Sequence, residues 1–109
     1  MAENTIRLQA KHWENNGVTE TEVKVAIIHP METGFRKELE TGKLIPAHFI
    51  EEITCKHNDQ IVVSGTWSGA FAKNPYCEFK LQGGKAGDMI EFHWLDNKGD
   101  SDTATTKIE

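Results

Sequence analysis

The sequence predicts an all-β fold, a single antiparallel β-sandwich of about seven strands occupying residues 1–109 as one domain. Three observations carry this prediction. Apolar residues recur with period two in short runs. The runs are punctuated by Gly, Asn, Asp and Pro at roughly the 8–12-residue spacing of small sandwiches. No segment shows the i, i+3, i+4 spacing of an amphipathic helix.

The first strand spans residues 5–11, with Ile6, Leu8 and Ala10 on one face and Arg7, Gln9 and Lys11 on the other. Asn15-Asn16-Gly17, within the polar segment 14–17, is a turn signal. Residues 18–28 then alternate again, with Val23, Val25 and Ile27 inward. Ile28 on the opposite face implies that the end nearest His29 is covered on both sides. His29-Pro30-Met31-Glu32-Thr33-Gly34 ends this strand, because Pro30 has a fixed φ and no N–H and Gly34 tolerates positive φ.

After the corner, residues 35–40 and 43–45 flank Thr41-Gly42 as the arms of a short polar ribbon, with a helical turn over 36–39 as the competing conformation. Residues 47–55 read as a strand whose phase breaks between Phe49 and Ile50, the mark of a bulge that would bury both. His57-Asn58-Asp59-Gln60 turns this strand into residues 61–67, completing a hairpin. Lys73-Asn74-Pro75 makes a second corner before residues 76–81, where Cys77, Phe79 and Leu81 alternate with Tyr76, Glu78 and Lys80. Residues 83–88 form a glycine-rich loop; they lack the Gly-Lys-Ser/Thr ending and following helix of a phosphate cradle. Ile90, Phe92 and Trp94 mark the next strand, residues 96–99 a hairpin turn, and residues 100–108 a polar last strand. Trp67, Trp94, Phe79, Phe92 and the Val/Ile set are the expected core.

Composition excludes several functions. A net charge of -5 without a Lys/Arg cluster gives no electrostatic footprint for nucleic acid or anionic lipid. No apolar run approaches the roughly 20 residues of a membrane-spanning helix. The N-terminus lacks the basic start and apolar stretch of a secretory signal, which by itself reads as cytoplasmic.

Candidate chemistry is sparse. Five histidines, at 12, 29, 48, 57 and 93, raise a redox or metal reading in which some of them join Cys77. Blue-copper spacing is absent, since Cys77 is followed by no His until His93 and no Met until Met89. We therefore expect no metal and no cofactor; His29 is expected to be held by hydrogen bonds at the corner, and the others to cap turns or lie on polar faces. Ser64 and Ser68 lack a nucleophile-elbow context. Glu51-Glu52 and Glu38/Glu40 read as charged surface rather than an acid–base pair. Cys55 and Cys77 lie in strand-like runs as buried thiols; spacing alone does not decide a disulfide between them or to another chain. No catalytic residue is expected.

The order of segments nevertheless resembles one family. His29-Pro30-Met31-Glu32-Thr33-Gly34 with Arg36-Lys37, Ile45-Pro46-Ala47-His48-Phe49-Ile50, Lys73-Asn74-Pro75-Tyr76 with Phe79, and Lys85-Ala86-Gly87-Asp88 with Trp94-Leu95-Asp96-Asn97-Lys98-Gly99 together resemble SoxZ. SoxZ is a subunit of the SoxYZ sulfur-carrier complex of bacterial thiosulfate oxidation. The resemblance implies an immunoglobulin-like sandwich and a non-catalytic role. It implies a SoxY-type partner, whose C-terminal arm cysteine carries the sulfur intermediates, and transient contact with other Sox enzymes through the complex. It also implies a periplasmic location reached by co-export with that partner. Cys55 and Cys77 lie outside the matching motifs, so no sulfur-carrying role transfers to them. The expected partner interface comprises Met31, Phe35 and Arg36 at the corner and ribbon, His48 and Phe49, and the Asn74-Pro75-Tyr76 corner.

Overall fold

Each of the seven period-two runs that the sequence predicts contains a strand, though the bounds differ. In the computed structural model, which describes residues 2–109, the strands are β1 (Ile6–Asn15), β2 (Val18–Ile27), β3 (Ile50–His57), β4 (Gln60–Thr66), β5 (Tyr76–Gln82), β6 (Met89–Asp96) and β7 (Ser101–Lys107). No helix occurs among the described residues. Two antiparallel sheets result, β1-β2-β5 and β4-β3-β6-β7. Between them lie Val23, Val25 and Ile27 from β2, Ile50, Ile53 and Cys55 from β3, and Ile90, Phe92 and Trp94 from β6. Trp67 and Phe79, expected in this core, pack against it only partly buried.

Three strands lie over four. β1 packs against β7, and the C-terminal residues close that side: Glu109 N–H donates to the Ala10 carbonyl (2.9 Å) and His12 N–H to the Glu109 carbonyl (3.1 Å). With β1 beside β7, the order β7-β6-β3-β4 runs across β1-β2-β5, and its fourth strand has no strand opposite it. That leaves β4 overhanging. Of its seven residues all but Val63 are exposed.

Several local expectations are corrected. β1 runs on to Asn15, and the turn is the two residues Asn16 and Gly17, at φ 52° and 79°. Those angles suit the primed turns whose twist matches the flanking strands. Ile28 and Ala26 are exposed, because no third layer covers the outer face of the three-stranded sheet. The 47–55 run becomes strand only from Ile50. Its phase break appears as a register shift against β6 between Ile50 and Glu52, burying Ile50 but leaving Phe49 half-buried outside the strand.

The ribbon forms as a hairpin, not a helical turn. Glu38 N–H donates to Lys43 O (2.9 Å), Ile45 N–H to Arg36 O (2.8 Å) and Gly42 N–H to Glu38 O (2.9 Å). Its tip is therefore residues 39–42 rather than Thr41-Gly42 alone. In β4 a bulge falls at Val62, since Cys55 pairs with Val63 and Lys56 with Ile61. The glycine-rich loop is needed where it touches the core. Gly84 sits at φ 95°, and a Cβ there would collide with Thr21 Oγ1.

Candidate partner-binding site

The inward line of β2, Val23-Val25-Ile27, takes one more step to His29, and that of β6, Ile90-Phe92-Trp94, one more to Asp96. The two side chains meet at the end of the sandwich, both buried. His29 Nε2 lies 3.0 Å and His48 Nε2 2.7 Å from Asp96 Oδ2, while Asp96 Oδ1 accepts the N–H groups of Lys98 (3.0 Å) and Asp100 (2.9 Å). The His29 ring stands edge-on to His48 (4.6 Å) and to Trp94 (5.1 Å). Burial opposes the Asp96 charge, but the hydrogen bonds from His29, Asp100, His48 and Lys98 outweigh it and hold its carboxyl below the usual carboxylate range. Burial, more than the neighbouring His48, pushes His29 below the usual imidazole value, against the pull of Asp96.

Backbone contacts lock the same point. Asn74 Oδ1 accepts His29 N–H (3.0 Å), and Asn74 N–H donates to His29 O (2.9 Å). Asn97 Oδ1 accepts Phe49 N–H (2.8 Å), and its Nδ2 donates to Ala47 O (2.9 Å). Glu32 and His48 exchange backbone bonds as an isolated antiparallel bridge. Both roots of the ribbon are thus clamped by the corner and by the β6–β7 hairpin. Met31 N–H donates to His29 Nδ1 (3.1 Å), and Met31 Sδ faces the N–H of Ile50 (3.4 Å). Among the described non-glycine residues with positive φ, Met31 (49°) is the one that is neither Asn nor Asp. Its strained backbone is held by these two contacts.

From this clamp the ribbon projects with its apolar residues uncovered. Phe35 is 86% exposed, Leu44 56%, and Leu39 fully exposed. Arg36 forms a two-pronged pair with Glu32, and that hydrogen-bonded guanidinium holds the Glu32 carboxyl below its usual range. Beside the root, residues 69–73 and the corner enclose an open groove of about 400 Å³ lined in part by Phe71, Lys73 and Arg36.

The structure divides the residues expected at an interface. Phe35 and Arg36 project from the ribbon, and Tyr76 is half exposed at the start of β5. Met31 is buried, contrary to its expected exposure, because it seals the core end under the corner. Pro75 is buried too, its carbonyl accepting Ile27 N–H (3.0 Å). His48, Phe49 and Asn74 act in the clamp. Sequence reading placed Asp96 and Asn97 in a hairpin turn and a family-like motif but gave them no part in the site, although extending the alternation of β6 by one step reaches Asp96. It also missed Leu39, Leu44 and Phe71, whose signal is an apolar residue in a polar loop.

As chemistry, the cluster is a hydrogen-bond hub. One ligand atom from each of His29, His48 and Asp96 lies within 4.8 Å of the others, and no cysteine joins them. The Met31 N–H aimed at Nδ1 puts the His29 proton on Nε2, where it donates to Asp96. Binding a cation through Nε2 would move that proton to Nδ1, against the Met31 N–H. The other histidines also have partners: His57 bonds Asp88 (2.8 Å), His93 bonds Thr103 (2.7 Å) and His12 bonds the Glu109 carbonyl (2.7 Å). Cys55 and Cys77 are free thiols, pushed by burial up to about 12 and about 11. Neither is a thiolate nucleophile at neutral pH.

Compared with known families, residues 6–107 match the one described as sulphur oxidation protein SoxZ. No curated protein gives a significant match.

Proposed function

The chain belongs to the SoxZ family of sulphur oxidation proteins, and from that membership we propose that it is the non-catalytic subunit of a periplasmic sulfur-carrier complex. It binds and supports a SoxY-type partner whose arm cysteine carries the intermediates of thiosulfate oxidation. The observation that carries this reading is the family match over residues 6–107. Two features agree with it. Both cysteines are protonated and at least partly buried, which suits a subunit that does not itself carry sulfur. The ribbon holds Phe35, Leu39 and Leu44 out from the fold on a clamped root, which suits contact with another protein.

Co-expression with a SoxY-type subunit is expected to yield one stable complex. On treatment with thiosulfate and the other Sox enzymes, the mass of the partner should shift and that of this chain should not. Failure of the two chains to co-purify, or a sulfur adduct on Cys55 or Cys77, overturns the proposal.

A further inference from the structure

Sheet edges offer rows of unpaired N–H and C=O groups, and soluble proteins usually blunt them with charges, proline or a cover. β1 carries Arg7, Lys11 and Glu14 and lies beside β7, which carries Asp102 and Lys107; β5 carries Glu78 and Lys80. β4, Gln60-Ile61-Val62-Val63-Ser64-Gly65-Thr66, carries no charge and no proline. Among the described residues it bonds only β3; it overhangs the opposite sheet and exposes Ile61 (63%) and Val62 (41%) around its bulge. The bulge is the one blunting device it carries, and the rest of the strand remains a template for another strand.

We infer that the free edge of β4 is a docking strand, to which the partner subunit adds an extended, uncharged segment that continues the β4-β3-β6-β7 sheet. The inference rests on the partner-binding reading above. Surface area supports it. The chain exposes 7030 Å², about 900 Å² more than the ~6,100 Å² expected of a compact monomer of its mass. That excess belongs to the elongated chain as a whole, ribbon included, and is close to the ~800 Å² that a stable complex hides on each partner.

The position of the ribbon selects a different protein over a second copy of this chain. After β4 the chain runs through Trp67, stacked on Phe71 (4.5 Å), to Gly69, which packs against Thr33 at the ribbon root. The edge and the ribbon are therefore neighbours at one end of β4. Antiparallel pairing of two β4 strands would set the two ribbon-bearing ends at opposite ends of the strand pair, so that neither ribbon meets the other. A strand of about 23 Å alone is also a small interface. A different chain can cover edge and ribbon together.

The test combines Ile61→Lys/Val62→Lys with hydrogen exchange on the co-purified complex. Ile61 is largely and Val62 partly exposed, so the variant should stay folded, with a melting temperature close to that of the parent. The expected result is slowed exchange of backbone amides in residues 60–66 on complex formation, and partner affinity at least about tenfold weaker in the variant. A complex that forms with unchanged β4 exchange and full variant affinity overturns the β4 assignment and leaves the partner-binding reading standing. A homodimer of the chain alone with protected β4 amides assigns the edge to a second copy and overturns it as well. Absence of any complex with the unmodified chain overturns both readings.

Discussion

At Asp96 one buried carboxylate accepts hydrogen bonds from His29, His48, Lys98 and Asp100, and each donor belongs to a segment that shapes the ribbon root. Asp96→Ala leaves these donors facing a void and should lower the unfolding free energy by about 3 kcal/mol, measured by urea denaturation. The pH dependence follows from the same group of residues. The unfolded chain protonates His29 below about 6.5, whereas burial keeps the folded ring neutral to lower pH. The unfolded state then binds more protons, so stability should fall as pH drops from 6.5 through the lowered folded value. Asp96 and Asp102, both held low in the folded state, add a further loss below about 3.8. A urea-midpoint series from pH 8 to pH 5 should show the first decline, and His29→Gln, which keeps a donor to Asp96, should flatten it.

The strands and the ribbon answer to different forces. β2 and β6 are held by a continuous inward apolar line, so their alternation alone revealed them, down to Val23-Val25-Ile27 and Ile90-Phe92-Trp94. The ribbon has three backbone bonds and no buried side chain along its arms beyond the half-buried Ile45. It should open locally at little cost, with the amides of Glu38, Gly42 and Ile45 exchanging faster than those of β3 and β6. Phe35→Asp and Leu39→Asp touch no packed surface. They should leave the unfolding free energy within about 0.5 kcal/mol while weakening the partner complex by about tenfold or more. Equal affinity in a titration of variant and parent would remove the ribbon from the interface. Turn chemistry explains the misjudged tip: Thr41-Gly42 suits a two-residue turn, but the Lys37–Leu44 pairing spreads the reversal over residues 39–42.

Across the whole molecule, three strands over four and a projecting ribbon give an elongated body of 58 × 27 × 19 Å with a radius of gyration of 16.3 Å. A compact chain of this length would have about 13 Å, so small-angle scattering of the isolated chain should give a value near the larger figure. Sequence by itself determined the all-β class, the seven strands, the His29–Gly34 corner and the family resemblance. Alternation and turn residues act between neighbours along the chain, and their physics is complete within a few residues. Only the tertiary structure decided that β4 overhangs, that Met31 turns inward, and that His29 and His48 share Asp96. Those outcomes depend on which strand ends meet across the sandwich: Asp96 lies 67 positions from His29 and 48 from His48, and nothing local joins them until the sheets close.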